Sequence, residues 1–205
     1  MPYAGNAVLQ GCDWVAFQCL WPCEYAQAGK ACQYCFSGGQ FESLARRGKP
    51  MPFIPSPEDV SEVTRYAIDN CNVNSVQITG GSTFRAEKEE QHITRYMEAI
   101  PREDLRGEVL LYITPPDKTE VIDRYFGLGA DRIACSLEVW DDERAAVITP
   151  GKREFTTKQR HLDALSYIAE TYGPGRAFSN FIIGLESIET LKQGAEYLAE
   201  RVIIP

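Results

Sequence analysis

The chain has 205 residues, 44% of them hydrophobic and 24% charged, which suits a single globular domain over residues 1–205. A net charge of −8 leaves no broad basic surface to neutralise phosphates, so nucleic acid is not an expected partner. No apolar run reaches the roughly 18 residues that span a bilayer, and Met1-Pro2-Tyr3-Ala4 lacks the layout of a signal peptide, so the expectation is a cytoplasmic protein with no membrane contact.

Five of the seven cysteines, Cys12, Cys19, Cys23, Cys32 and Cys35, fall in the first 35 residues. Without an export signal, such a cluster reads as metal ligands, reactive thiols or buried apolar residues rather than a disulfide framework. Val15-Ala16-Phe17 is a candidate strand leading into them. Ser56-Pro57-Glu58-Asp59 is a helix start with a cap, a proline and first-turn acids, and Val60, Val63 and Ala67 carry the helix to about Asn70.

From there strands and helices alternate. Ser75 to Thr79 is a strand closed by Gly80-Gly81, and Ile93, Tyr96, Met97 and Ile100 mark the next helix. Val109 to Ile113 is an unbroken apolar run stopped by Pro115-Pro116, as in a strand buried on both faces. Val121, Ile122, Tyr125 and Phe126 form a helix ending at Gly127 and Gly129. Arg132 to Val139 is the fourth strand, and Asp141 to Arg160 is expected to be a charged loop over a site, with Lys152 and Arg153 open to an acidic group. Leu162, Leu165, Ile168 and Tyr172 make a helix, Ala177 to Ile183 a fifth strand, and Ile188, Leu191, Ala195 and Leu198 a final helix. Val202-Ile203-Ile204 begins a sixth strand, cut off at Pro205 as if a longer native chain continued it.

Five βα units and part of a sixth are too few for a closed eightfold barrel of about 250 residues. The expected fold is α/β: an open, partial TIM-type barrel of five to six parallel strands with outer helices, unpaired at its last edge after Ile204. Reactive groups of such folds gather at the C-terminal ends of the strands. There lie the Cys23 to Cys35 loop, Gly80-Gly81-Ser82, Thr114-Pro115, Ser136 and Glu138, and Gly184-Leu185-Glu186.

Cys32-Gln33-Tyr34-Cys35, with eight residues between Cys23 and Cys32, offers three thiolates from one loop and leaves a fourth position of a metal centre open. With an aromatic residue before the last cysteine, Phe36-Ser37-Gly38-Gly39 after it and the βα series behind, the chain resembles the radical S-adenosylmethionine (radical SAM) superfamily, as a branch with a CX8CX2C motif. The likeness extends to Thr79-Gly80-Gly81-Ser82, where the family's Gly-Gly-Glu turn would stand with Ser82 in place of the acid. It includes Ser136 and Glu138 alternating on the fourth strand, and Phe181 to Glu186 as a partial match to Gly-x-Ile-x-Gly-x-x-Glu with Asn180 at the first glycine.

That resemblance implies a [4Fe–4S] cluster on Cys23, Cys32 and Cys35, and S-adenosylmethionine contacts from Gly80, Gly81, Ser82, Ser136, Glu138 and Glu186. It implies reductive cleavage to a 5′-deoxyadenosyl radical that takes hydrogen from a small-molecule or peptide substrate. Electrons would come from a low-potential donor such as flavodoxin or ferredoxin. Cys19 lies upstream with three residues between it and Cys23, so a set of Cys19, Cys32 and Cys35 stays open, although Cys23 closes the shorter loop.

Other readings compete with these. Cys19, Cys23, Cys32 and Cys35 could form a structural zinc site, and an iron–sulfur electron carrier or sensor would also use the loop. Cys71 and Cys135 read as buried small hydrophobes. His92 and His161 read as solvated or capping residues and the tryptophans as packing residues. Glu138, near the end of a buried strand, needs a partner: Arg144, Lys152, Arg153 or a ligand.

Overall fold

The computed structural model describes residues 7–11, 13–20, 22–49 and 54–205; Cys12 and Trp21 lie outside them. Six strands form one sheet in chain order: β1 (Ala7–Gln10), β2 (Trp14–Leu20), β3 (Ser75–Gly80), β4 (Val109–Tyr112), β5 (Arg132–Ala134) and β6 (Ala177–Phe178). From β2 to β6 all pairings are parallel. Ile204 adds one parallel bridge to Phe178 beyond β6, so Val202 to Ile204 forms a single bridge in place of a strand, and the sheet stays open.

Alternation along each strand separates core from site. Val15, Phe17 and Cys19 of β2, Val76 and Ile78 of β3, Val109 and Leu111 of β4, and Ile133 of β5 are buried in the main core. Helices supply its other side, among them α3 (Pro57–Cys71), α4 (Ala86–Ala99), α5 (Thr119–Gly127) and α8 (Lys158–Tyr172), through Val60, Ile93, Ile122 and Leu165. The opposite face of the strand ends carries Thr79, Tyr112, Ala134 and Ser136, which line a shared cavity. Helix α3 starts where its sequence indicates, because Ser56 and Asp59 exchange side-chain and backbone hydrogen bonds of 3.1 and 2.8 Å. Two short helices, α1 (Glu24–Gln27) and α2 (Phe36–Arg46), lie in the cysteine region.

Four expectations are corrected. The fifth strand, expected over Ala177 to Ile183, is the two-residue β6 ending at Phe178, and Phe181 makes only an isolated bridge to Glu138. Strand β1 is antiparallel to β2 and was not foreseen. The fourth strand ends at Ala134 rather than Val139, because groups that would extend the ladder bond to side chains: Ser179 Oγ accepts from the Leu137 amide at 3.1 Å and Lys152 Nζ donates to the Ser136 carbonyl at 2.8 Å. Glu138 then sits at φ 68° and bridges Phe181 alone. The segment after Trp140 is a helical hairpin rather than a loop: α6 (Asp142–Ile148), capped by Asp141, and α7 (Pro150–Phe155), with Pro150 as its first residue. The final helix, α9 (Ile188–Ala199), is capped by Ser187.

Ile78 of β3 is fully buried in the main core. Ile78→Ala should cost about 2–5 kcal/mol, read as a lower urea midpoint with unchanged slope.

Candidate active site

The loop after β2 carries three half-buried thiols, with Cys23 at the start of α1 and Cys35 at the start of α2. Burial raises the Cys32 pKa; Lys152 pulls it down while Cys35 and Cys23 push it up, so the three thiols and Lys152 share one electrostatic neighbourhood. The Tyr34 hydroxyl donates to the Cys32 sulfur and feels the charge of Glu138. Cys19 is elsewhere: its side chain is 2% exposed in the core, where burial pushes the thiol far up.

Two neighbours hold this loop. The turn after β3 presses against it from one side, with the Gly81 amide on the Leu20 carbonyl at 2.6 Å, the Glu24 amide on the Ser82 carbonyl at 2.9 Å, and the Ser82 amide 3.4 Å from Cys23 Sγ. A Cβ on Gly80 would lie 2.6 Å from the Leu20 backbone nitrogen, and one on Gly81 2.5 Å from Cys23 Cα, so glycine is required here by close backbone approach. Glu24 adds bonds to the Phe84 amide and Lys88, both 2.6 Å. The α6–α7 hairpin closes the other side: Gln33 donates to the Ile148 and Val147 carbonyls, the Gly151 amide to Lys30, and Lys30 pairs with Glu154.

Between these walls lies a cavity of about 140 Å³. Of the residues expected at a site, Gly80, Gly81, Ser82, Ser136 and Glu138 all line it, with Thr79, Tyr112, Thr114, Thr156, Lys152 and His161. Glu186 is not in that lining; its carboxylate accepts from the Trp140 amide at 2.9 and 3.1 Å and from the Asp141 amide at 2.8 Å. The partner of Glu138 is Lys152, 3.1 Å away, while Arg144 donates to the Leu185 carbonyl and Arg153 pairs with Asp142. Lys152, one of the partners expected for Glu138, enters from α7.

His161 corrects its sequence reading. It is 4% exposed and lines the cavity. Because a carbonyl oxygen can only accept, the 2.8 Å contact with Thr157 puts the proton on Nδ1. Burial first, then the charge of Lys152, lowers its pKa to about 3, so the ring is neutral near pH 7.

The residues suit an iron–sulfur cluster. Among the described residues no three His, Cys, Asp or Glu side chains converge on one point as a single ion requires. Three neighbouring thiols beside a polar cavity can instead each serve a different iron of a cluster. The model of the radical SAM superfamily matches residues 28–198. The chain belongs to the radical SAM superfamily. The matched stretch contains Cys32, Cys35 and the cavity lining, and Cys23 lies just upstream.

No curated protein matches the chain. It is similar to methylornithine synthase (PylB), with 15% identity and a TM-score of 0.69 over 98% of this chain and 53% of that one, so it spans about half of that enzyme's length. It also matches coproporphyrinogen III oxidase (HemN) from Escherichia coli, a radical SAM enzyme, at 18% identity and a TM-score of 0.48 over 70% of this chain and 34% of that one. The likeness to methylornithine synthase supports a partial barrel, and the family implies a [4Fe–4S] cluster and S-adenosylmethionine in general. Among the described residues no helix is long and apolar enough to cross a membrane.

A neutral, buried His161 has a pH signature. The unfolded chain takes up its proton near pH 6.5 and the folded chain near 3, so this group's contribution is full above 6.5 and is lost as pH falls towards 3. Unfolding free energies of wild type and His161→Gln between pH 3 and 7 should show the flatter dependence in the variant. Glu89, whose folded pKa is about 7, acts in the opposite sense above its ordinary range, so the difference between the two curves is the quantity to read.

Proposed function

We propose that this protein is a radical SAM enzyme that cleaves S-adenosylmethionine reductively at a [4Fe–4S] cluster held by Cys23, Cys32 and Cys35. The observation carrying this reading is that Cys23 meets the Gly80-Gly81-Ser82 turn at the edge of a polar cavity, with the half-buried Cys32 and Cys35 in the same electrostatic neighbourhood, while Cys19 is committed to the core. When bound, the cluster and S-adenosylmethionine supply a 5′-deoxyadenosyl radical that abstracts hydrogen from an unreactive C–H bond of the substrate.

The chain's own residues position and shield that chemistry. The turn from Gly80 to Ser82 brings backbone amides and carbonyls beside Cys23. Ser136 and Glu138, with Lys152 bridging them, face the polar parts of the bound cofactor. Lys152 places positive charge near the Cys32 thiolate and partly offsets the negative charge collected there. Glu186 acts through the Trp140–Asp141 turn, which launches the hairpin over the site, rather than by direct contact. That hairpin excludes water from the reacting centre. A low-potential donor such as flavodoxin or ferredoxin supplies the electron, and the substrate is a small molecule or peptide. The domain reading of residues 1–205 as one unit belongs to the same proposal.

Anaerobic reconstitution, then dithionite and S-adenosylmethionine, tests this reading by 5′-deoxyadenosine formation. Cys23→Ala, Cys32→Ala and Cys35→Ala should each reduce product to background, and Cys19→Ala should retain it. A cluster that yields no 5′-deoxyadenosine would favour a carrier or sensor, and colourless protein holding zinc would overturn the assignment. Glu186→Gln should weaken product formation roughly tenfold by loosening the Trp140–Asp141 turn, since hydrogen bonds to a charged acceptor are worth about 1.5–3 kcal/mol.

A further inference from the structure

A second cavity, of about 90 Å³, lies beside the first and shares Thr114 and Thr156 with it. Tyr125, Lys118 and Arg160 line it, as do three aromatic rings from separate segments that pack on one another: Tyr25 of α1, Phe84 of the turn after β3 and Phe155 of α7. Their centroids are 5.6, 5.0 and 4.8 Å apart pairwise, so they form one continuous aromatic wall. Glu89 of α4 also lines the cavity, with the residue as a whole only 6% exposed.

Glu89 is unusual for a buried carboxylate. Its oxygens accept from the Thr114 amide at 2.9 Å and the Thr83 amide at 3.3 Å, which fixes its orientation. Among the described residues it has no salt-bridge partner within 4.0 Å. The charge of Arg160 reaches it, but that guanidinium pairs with Asp117 at 2.6 Å. Burial pushes its carboxyl up to about 7, outweighing the hydrogen bonds from Thr114 and Thr83 and the charge of Arg160, which also lines the cavity. A buried carboxylate normally acquires a cationic partner because the unpaired ion is costly.

We propose that this cavity is a binding site for an organic ammonium group, with Glu89 as its counter-charge and the faces of Tyr25, Phe84 and Phe155 packing around it. Aromatic faces attract a cation at short range, and an alkylammonium sheds water more readily than a small metal ion, so the rings select the organic cation. The shared walls place the bound ammonium next to the chamber beside the cysteines. The site itself does not depend on what those cysteines hold.

Calorimetric titration of the full chain with n-butylammonium and with n-butanol tests the proposal. The amine should bind at least tenfold more tightly than the alcohol, shift the amide resonances of Thr83 and Thr114, and lose at least tenfold in affinity in Glu89→Gln. Phe84→Ala, at a half-exposed ring that folding tolerates, should weaken the amine several-fold and leave circular dichroism unchanged. Equal binding of amine and alcohol, or amine shifts confined to other residues, would overturn the site. So would affinities within twofold of wild type in both variants.

Discussion

The site depends on one close approach: the backbone at the end of β3 lies directly against the end of β2 and Cys23. Gly80 and Gly81 allow it, since any side chain there would meet the Leu20 or Cys23 backbone at about 2.5 Å. The parallel register from Trp14–Ser75 to Leu20–Gly80 delivers the two ends side by side. Everything else at the site is arranged around that joint. Glu24 ties it to α4 through Lys88, and the remaining cysteines follow in the same loop.

The second organising element is the α6–α7 hairpin. It exists because β5 stops early, its ladder groups taken by Ser179 and Lys152, and because Glu138 turns the chain at φ 68°. Glu186 then holds the start of the hairpin by three contacts to two backbone amides. Gly151 lies so close to Tyr25 and Lys30 that a Cβ there would meet both within 2.8 Å, which brings Lys152 over the cavity. One hairpin thus closes the cysteine loop, supplies a cation to the cavity and adds Phe155 to the aromatic wall of its neighbour.

Much of the fold was legible in the sequence because period-2 and period-3.6 patterns are dictated by burial. The strands at Ser75 and Val109 and helices α3, α4, α5, α8 and α9 stand where those patterns put them. The site was legible where chain order delivers it, at strand ends and in the cysteine spacing. What escaped depends on contacts distant in sequence. His161 is buried by the cavity rather than by any apolar pattern around it, whereas Lys152, which the sequence offers as a partner for Glu138, is brought to it by the hairpin. The carboxylate of Glu186 bonds backbone amides some 45 residues away, contacts that nothing in its local sequence marks. Strand β1 escaped because four mostly exposed residues on a sheet edge carry little alternation.

The central claim is that Cys23, rather than Cys19, completes a cluster-binding set with Cys32 and Cys35 and leaves one iron open to S-adenosylmethionine. Electron paramagnetic resonance of the dithionite-reduced protein, recorded with and without S-adenosylmethionine, tests it most directly. The account predicts a [4Fe–4S] signal whose g-values shift on adding S-adenosylmethionine, retained in Cys19→Ala and absent in Cys23→Ala. A signal lost in Cys19→Ala and kept in Cys23→Ala, or one indifferent to S-adenosylmethionine, would contradict it.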